Sequence, residues 1–357
     1  MSKTLLVSLG GYPEPPDVTE DAATGTNAGA VLDVWRSLIP PHAEDGDGDR
    51  EDFWEMAYRL YAAVTSGADA LYISVDDAAP RRLATDPYGW HLEGETFTLA
   101  SMYQVAASYP AQYALYGPVT RWSPGNLVRL PQEATASEYP LLAPFSMHSG
   151  RPFDLVGIGE DGEMPEEATL GFKVREYRDR GISRVALKSS ASKKMDLVTF
   201  DISDGVPEDI SHHIADYAMN LFGRPRAFIL QGYVEMEYEY RVFVVGGKPV
   251  TGAGCLEEFT PRDAKAGVPF DSAMRQNRKQ RSAIEDQPER VNRYIEFATR
   301  VAADFAEQCD LTDYVLDVAT DAATGDPLVI ELNGLLNSGL YASDPTLVTK
   351  GLVRCAE

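Results

Sequence analysis

The sequence predicts a protein of mixed α/β and α+β class, with an N-terminal α/β domain followed by a longer α+β region. The first 120 residues alternate between strand-like and helix-like segments, an order typical of a parallel sheet covered by helices. Residues 228–254 instead contain three consecutive strand-like runs, and residues 314–332 contain two more that are joined by a turn. Consecutive strands with short connections indicate hairpins, which places the second region in the α+β class.

Two loops divide the N-terminal half of the chain. The stretch 42–52 is acidic and interrupted by glycine, which predicts a loop. Residues 110–150 are rich in Pro, Tyr, Ser and Gly, which predicts a connection between domains. The expected strands and helices of this half are, in order, strand 4–9, helix 26–38, helix 53–65, strand 70–75 and helix 97–108.

Beyond residue 150 the periodicity becomes clearer. Apolar residues recur at helical spacing between Val291 and Phe305, which predicts a long amphipathic helix after Pro288. Gly246 and Gly247 stand between two strand-like runs and predict a two-residue hairpin turn. The other expected elements are helices 165–180 and 207–221 and strands 184–188, 228–234, 240–245, 249–254, 314–319 and 328–332.

Charge and cysteine usage exclude several classes of function. The chain of 357 residues has 55 Asp and Glu against 32 Lys and Arg, a formal net charge of −23. This charge repels nucleic acid and anionic membrane surfaces, so neither is an expected partner. The three cysteines are scattered without a CxxC pair, and no run of about 18 apolar residues occurs. We therefore expect a soluble protein in a reducing, cytoplasmic setting.

A candidate metal site lies in the C-terminal hairpin. Glu331 and Asn333 are two residues apart on one predicted strand, so their side chains point to the same face. Asp317 is on the partner strand, where a hairpin can place it opposite them. Two carboxylates and an amide oxygen are suited to Mg²⁺ that is shared with nucleotide phosphates. The alternative is an ordinary solvent-facing strand, but Glu331 is bracketed by the apolar Ile330 and Leu332.

Two basic residues upstream have the chemistry of phosphate ligands. Lys188 ends a predicted strand and precedes a loop of small residues at 189–194, where a lysine can reach a phosphate. Taken alone, this pattern also fits a lysine that caps a strand at the surface. Arg241 alternates with Phe243 on a predicted strand and can clamp a phosphate or a carboxylate with two hydrogen bonds.

Taken together and in order, these motifs resemble the ATP-grasp superfamily. The resemblance covers roughly residues 150–345. It is nearest to a divergent clade of ATP-grasp proteins of actinobacteria and phages, whose members end in a Glu-x-Asn segment followed by Ser-Gly-x-Tyr, here Glu331 to Tyr341. The motifs are Lys188, the hinge strand Gln231–Glu235, the run Glu239-Tyr-Arg241, Gly247-Lys248, Asp317 and Glu331-Leu-Asn333.

The resemblance implies an ATP-grasp fold, in which two α+β subdomains hold the nucleotide. It also implies roles for individual side chains, with Lys188, Arg241 and Arg275 as the catalytic candidates. The expected domains are an N-terminal α/β domain at 1–120, a linker and central subdomain at 121–225, and a C-terminal subdomain with the metal site at 226–357. The expected ligands are Lys188 and Lys194 for phosphates, Gln231, Tyr233 and Val234 for adenine, Glu235 or Glu239 for ribose or metal ions, Arg241 for the transferring phosphoryl group, and Asp317, Glu331 and Asn333 for Mg²⁺.

Other basic residues are open to two interpretations. The superfamily usually has a second phosphate-facing basic residue upstream, for which Lys173 and Arg151 are the candidates. The insertion 257–287 contains four cations, Arg275, Arg278, Lys279 and Arg281. It is either an active-site flap, in which Arg275 or Arg278 meets ATP phosphate or an anionic substrate, or a solvated helix start with salt bridges to its own surface.

The function implied by the resemblance is ATP-dependent ligation. A carboxylate is activated as an acyl phosphate and attacked by an amine, which yields an amide or peptide bond between amino-acid-like substrates and releases ADP and phosphate. The expected cofactors are ATP and Mg²⁺, the expected partners are amino acids or short peptides, and a homodimer is one assembly that the sequence allows. Two alternatives stay open at this point: a silent nucleotide-binding module, and phosphoryl transfer to a non-carboxylate acceptor.

Overall fold

The computed structural model divides into two compact units, which are described separately. Unit 1 comprises Met1–Glu133, Tyr238–Val318 and Asn333–Glu357, and unit 2 comprises Ala134–Glu237 and Ala319–Leu332. The predicted helices 97–108 and 207–221, most of the acidic loop, Lys194, Arg278 and Lys279 lie outside the described residues. The structure describes residues 4–9, 27–38, 50–68, 70–75, 81–86, 89–96, 113–116, 142–157, 167–189, 198–205, 227–277, 281–335 and 338–355.

The N-terminal part of unit 1 is a mixed five-stranded sheet with two helices. Its elements are β1 (Thr4–Leu9), α1 (Ala28–Leu38), α2 (Arg50–Val64), β2 (Ala70–Val75), β3 (Arg81–Asp86), β4 (Gly89–Thr96) and β5 (Tyr113–Tyr116). The strand order is β4-β3-β2-β1-β5, with β1 parallel to β2 and β5. The predicted parallel layer is therefore confirmed, whereas the antiparallel strands β3 and β4 were not predicted. The prediction of a loop over residues 50–52 is wrong, because α2 begins at Arg50.

The remaining elements belong wholly or partly to unit 1 and follow the prediction closely. Both glycines of the turn between β10 and β11 have positive φ, 58° at Gly246 and 69° at Gly247, as a primed hairpin turn requires. The four-stranded sheet has the order β11-β10-β14-β15. The elements are β10 (Met236–Val245), β11 (Lys248–Gly254), β12 (Ala273–Arg275), β13 (Ile284–Asp286), α5 (Pro288–Cys309), β14 (Tyr314–Asp321), β15 (Pro327–Asn333) and α6 (Pro345–Cys355).

One hydrophobic core joins the N-terminal helices of unit 1 to its C-terminal strands. Phe53 and Leu60 of α2 are buried in the same cluster as Phe243 of β10, Val315 of β14 and Leu352 of α6. Each of these side chains is almost completely removed from water, and this burial is the main favourable contribution to folding. Helix α2 is consequently a fixed part of the unit that carries Arg241 and Asp317.

Unit 2 is built on an antiparallel sheet with the strand order β6-β9-β7-β8. Tyr177, Leu187 and Leu230 are buried in its core. The register pairs Lys188 with Ile229 and Ala186 with Gln231, so both predicted ligand residues lie on neighbouring strands. The elements are α3 (Ala143–His148), β6 (Phe153–Gly157), α4 (Glu167–Asp179), β7 (Arg184–Ser189), β8 (Val198–Asp201) and β9 (Ala227–Gly232).

The insertion after β11 is an ordered ribbon. A short 3-10 turn at Pro261–Asp263 carries a capping box, in which the side chains of Thr260 and Asp263 bond each other's backbone amides. Strands β12 and β13 then pair antiparallel. The predicted alternative of a helix start is therefore wrong for this segment. Among the helices that the structure describes, none is both long and apolar enough to cross a membrane.

Candidate functional site

The centre of the candidate site in unit 1 is a buried ion pair between Arg241 of β10 and Asp317 of β14. The guanidinium donates from Nε to Oδ1 at 2.8 Å and from Nη2 to Oδ2 at 2.7 Å. Two parallel hydrogen bonds of this kind fix the relative orientation of both side chains. Burial alone would lower the pKa of Arg241, but the charge and hydrogen bonds of Asp317 raise that pKa well above its ordinary value.

Asn333 and Gly339 complete this cluster. Asn333 donates from Nδ2 to Oδ2 of Asp317 at 2.9 Å, and Arg241 donates from Nη1 to the carbonyl of Gly339 at 3.1 Å. The ring of Tyr341 lies 5.1 Å from the Arg241 guanidinium carbon, within range of a cation–π interaction. Three of the predicted site residues, Arg241, Asp317 and Asn333, are therefore in direct contact.

The second part of the candidate site, in unit 2, is an ion pair between Lys188 and Glu331. The Lys188 ammonium donates to Oε2 of Glu331, which joins the end of β7 to β15. The side chains are 27% and 21% exposed, so solvent and ligands can reach both. This pair unites the predicted phosphate ligand with one predicted metal ligand.

Arg151 clamps the strand that carries Glu331. It is buried and donates from Nη1 to the carbonyls of Ser149 and Val329 and from Nη2 to the carbonyl of Ile330, each at 2.9 Å. Its Nε donates to the side-chain oxygen of Gln231 at 3.1 Å. The donors of Arg151 are thus committed to protein oxygens, which favours a structural role over the phosphate contact considered for it. Gln231 accordingly supports the clamp in this structure.

The hinge after β9 has part of its backbone already engaged. The Tyr233 amide donates to the carbonyl of Arg184, and the Glu235 carbonyl accepts from the amide of Ala322, both at 3.0 Å. The Arg184 guanidinium lies 4.1 Å from the centre of the Tyr233 ring. The Tyr233 hydroxyl donates to Glu235 at 2.7 Å, and this bond raises the pKa of Tyr233. Val234 therefore lies between two anchored residues.

Three other predicted basic or acidic residues have partners that can be described. Arg275 of β12 pairs with Glu258, and Lys173 pairs with Asp154 at 3.0 Å and with Glu176 at 3.1 Å. These bonds with carboxylates raise the pKa of Lys173. Glu239 accepts a backbone hydrogen bond from Cys255 through its carbonyl at 3.1 Å.

The predicted metal ligands have the donor chemistry that Mg²⁺ requires. Among the described residues there is no group of three or more His, Cys, Asp or Glu side chains that could hold a metal ion. The predicted set contains two carboxylates and one amide, and Asn333 uses its nitrogen toward Asp317, so its ligand atom would be an oxygen. Mg²⁺ is commonly held by one or two carboxylates together with substrate phosphates, and the set of Asp317, Glu331 and Asn333 fits that pattern.

Sequence reasoning missed the residues that hold the segment after β15. Glu55 of α2 accepts hydrogen bonds from the amides of Leu340 at 2.6 Å and Tyr341 at 3.4 Å. Arg59 donates to the carbonyl of Ser338 at 2.6 Å. The only available signal was an acid and a base four positions apart on a predicted helix, and this spacing is ordinary on helix surfaces.

The fold and the site together define an ATP-grasp protein of the α+β class. Residues 208–350 match a family model of the ATP-grasp domain, which describes the third family of one clade of that superfamily. This match covers β9 to most of α6 and includes Arg241, Asp317, Glu331 and Asn333. The expected superfamily and fold class are thereby confirmed.

Solved structures that this chain resembles are distant in sequence. The D-alanine-D-alanine ligase from Coxiella burnetii has 9% identity and a TM-score of 0.45, and the match covers 99% of this chain and 95% of that chain. The D-alanine–D-alanine ligase from Bacillus anthracis complexed with ATP has 10% identity and a TM-score of 0.45, with coverage of 99% of both chains. The ATP-grasp ligase PsnB, complexed with a phosphomimetic precursor variant, Mg and ADP, has 10% identity, a TM-score of 0.43 and coverage of 100% and 98%. The comparison with curated proteins gives no match.

Proposed function

We propose that this protein is an ATP-dependent ligase that joins a carboxylate to an amine through an acyl phosphate. The γ-phosphoryl group of ATP is transferred to a carboxylate oxygen, which releases ADP. The nitrogen of an amine then attacks the acyl carbon, phosphate leaves, and the nitrogen loses a proton. The substrates are amino-acid-like, and the product is an amide or peptide bond.

The observation that carries this proposal is the cluster of Arg241, Asp317 and Asn333. A guanidinium has five N–H donors, and among the described residues Asp317 and Gly339 take three of them. The remaining donors are held in place by those same bonds. A fixed guanidinium stabilises the negative charge that develops on a transferring phosphoryl group without having to reorganise.

The Lys188–Glu331 pair is the proposed contact with the nucleotide phosphates. When ATP enters, Lys188 exchanges its carboxylate partner for phosphate oxygens, and Glu331 becomes available to a cation. Mg²⁺ bound by Asp317, Glu331 and Asn333 would bridge phosphate oxygens and neutralise their charge. Both exchanges are electrostatically balanced, because each charged group leaves one opposite charge for another.

The hinge after β9 is the proposed adenine contact. The Tyr233 amide and the Glu235 carbonyl are engaged with protein groups, so the Tyr233 carbonyl and the backbone of Val234 are the groups we assign to adenine. Arg184 stacks on Tyr233 and thereby holds the hinge from its other side. We assign the ribose hydroxyls to Glu235 or Glu239, and phosphate contacts to Lys194 and Arg275 in the loaded enzyme.

The test is Mg²⁺-dependent release of ADP and phosphate over pools of amino acids and dipeptides, with mass spectrometry of each positive pool. The expected result is ADP release in a pool that also yields a product lighter by one water than its combined substrates. Glu331→Ala is expected to remain folded and to lose turnover by about 100-fold or more, the scale for removing a group that stabilises transition-state charge. Glu307→Ala, an exposed carboxylate on α5, is the matched control and keeps wild-type turnover.

Other outcomes separate the remaining classes of function. AMP in place of ADP would contradict the acyl-phosphate route and indicate adenylation. A phosphorylated product without loss of water would indicate transfer to a non-carboxylate acceptor. Tight ATP binding with no turnover in any pool would indicate a nucleotide-binding module, and wild-type activity of Glu331→Ala would remove Glu331 from the site.

A further inference from the structure

The segment that follows β15 supplies two of the contacts of Arg241. We call residues 338–341 the return segment, because it leads from β15 back to the β10 side chain. The Gly339 carbonyl accepts from Nη1 of Arg241 at 3.1 Å, and the Tyr341 ring lies 5.1 Å from its guanidinium carbon. The direction of the remaining Arg241 donors consequently depends on where the return segment lies.

Helix α2 from the N-terminal part of the chain holds the return segment. Glu55 and Arg59 are four residues apart and lie on one face of α2, with Oε2 of Glu55 3.8 Å from Nη2 of Arg59. Oε1 of Glu55 accepts from the Leu340 amide at 2.6 Å, and Nη2 of Arg59 donates to the Ser338 carbonyl at 2.6 Å. These are charge-assisted hydrogen bonds, which are about twice as strong as neutral ones.

The backbone of the return segment is in a conformation that requires such support. Tyr341 has φ of 49°, in the left-handed region, which costs a non-glycine residue of the order of 1–3 kcal/mol. Oε1 of Glu55 also faces the Tyr341 amide, at 3.4 Å. The carboxylate thus lies at the start of the strained residue whose ring contacts Arg241.

Gly339 lies directly between the helix and the arginine. A Cβ atom at this position would be 3.4 Å from Oε1 of Glu55 and 3.6 Å from Nη1 of Arg241. Only a backbone without a side chain leaves room for both contacts without a shift of the neighbouring groups. Glu55, the return segment and Arg241 are therefore packed in sequence without an intervening gap.

We propose that Glu55 and Arg59 are positioning residues for Arg241, which act through the return segment. This inference rests on the proposed function, since Arg241 is assigned to the transferring phosphoryl group there. It gives the N-terminal part of the chain a role in the reaction step. Neither residue touches a reacting atom, so the expected effect is on the turnover number and not on the affinity for ATP.

The experiment compares Glu55→Ala and Glu55→Gln with the wild-type chain and with Asp33→Ala. Asp33 is an exposed carboxylate on α1, in the same unit, and serves as the matched control. Hydrogen–deuterium exchange is followed at the amides of residues 338–344 and, as a reference, at those of α5. Exchange requires no substrate, so this readout is independent of the ligase assignment. Turnover and the KM for ATP are measured with the substrate pair found in the pool assay.

In Glu55→Ala we expect exchange of the return segment to accelerate about tenfold or more, because local opening no longer breaks a charged hydrogen bond. Exchange in α5 and the KM for ATP are expected to stay within about twofold, whereas kcat falls about tenfold. Glu55→Gln is expected to be intermediate, since its amide oxygen still accepts from Leu340 but without the charge. Asp33→Ala behaves as the wild-type chain.

Two results would overturn the inference. One is unchanged exchange at residues 338–344 in Glu55→Ala, which would show that the carboxylate does not hold the segment. The other is faster exchange with unchanged kcat, which would show that the segment does not act on Arg241. If the wild-type chain turned over no pool, the proposed function would fail, while the exchange arm would still decide whether Glu55 holds the return segment.

Discussion

The two ion pairs of the candidate site differ in how far they are removed from water. The side chains of Arg241 and Asp317 are 9% and 1% exposed, and three further groups contact them. The side chains of Lys188 and Glu331 are 27% and 21% exposed. One pair is thus enclosed within unit 1, while the other, in unit 2, is partly solvated.

The difference in burial separates a permanent pair from an exchangeable one. Breaking a buried pair leaves an uncompensated charge in a medium of low dielectric, which is strongly unfavourable. A partly exposed pair contributes little, because water replaces each partner at small cost. We therefore expect Arg241 and Asp317 to stay together in every state of the protein, and Lys188 and Glu331 to separate when nucleotide and cation arrive.

The largest effect is expected for Asp317→Asn, which removes the charge and nearly preserves the shape. The free energy of unfolding should fall by about 3–5 kcal/mol, because the Arg241 guanidinium is left buried without a counter-charge. Urea denaturation at pH 7 measures it. The comparison would fail if Asp317→Asn cost less than about 1 kcal/mol, the scale of a solvated pair.

A double replacement tests whether burial is the cause. Arg241→Met combined with Asp317→Leu removes both charges together and fills the space with apolar atoms. Replacing a whole buried pair in this way is often neutral, so the double variant should be more stable than Asp317→Asn alone. Its ligase activity should nevertheless be lost, since Arg241 is absent.

Arg151→Lys is expected to have the second largest effect. A lysine has one ammonium and cannot reproduce the planar fork that bonds the carbonyls of Val329 and Ile330 together with Gln231. Buried acceptors left unsatisfied cost about 1–3 kcal/mol, and urea denaturation should show a loss in that range. Arg175→Lys, at an exposed position on α4 of the same unit, is the control and should be nearly neutral.

The sequence predicts the contacts that are local or that follow from strand register. Glu331 and Asn333 share a strand and Asp317 lies on its neighbour, so spacing alone brought two of the three to one cluster. The contact between Glu55 and Leu340 joins residues 285 positions apart, and no local pattern indicates which surface a helical carboxylate will meet.

The missed strands have a similar explanation. β3 reads Arg-Arg-Leu-Ala-Thr-Asp and has little alternation of apolar and polar residues. Its partner β4 lies at the end of the sheet, where only one neighbour has to be matched. Such strands are specified by pairing with the rest of the sheet and not by their own periodicity.

Glu331→Gln is expected to leave stability nearly unchanged. The partner Lys188 remains solvated, so the free energy of unfolding should change by less than about 1 kcal/mol. The informative measurement is urea denaturation with and without Mg²⁺-ATP. The wild-type chain should gain stability from the ligand, since the ligand binds only the folded state, and the variant should gain less. An equal gain in both chains would show that Glu331 does not take part in binding.

The smallest effect concerns the pair of Glu258 and Arg275 in the insertion, where Glu258 is 44% exposed. Burial acts to raise the pKa of Glu258, but hydrogen bonds from its own backbone amide and from Arg275 lower it below its ordinary value. A carboxyl whose pKa is lowered by folding stabilises the protein above its unfolded-state pKa, and this contribution disappears as the pH falls through the folded-state pKa.

Glu258→Gln should therefore be less stable than the wild-type chain at pH 7, by no more than about 1 kcal/mol, and the difference should vanish toward pH 3. Urea midpoints measured across this pH range check the sign, with Glu307→Gln on α5 as a control that shows no such trend. A difference that grew on acidification would contradict the assigned direction. Because this pair is the more exposed one, it should also release Arg275 more readily than the Asp317 carboxylate releases Arg241, as a residue that moves onto an incoming phosphate must do.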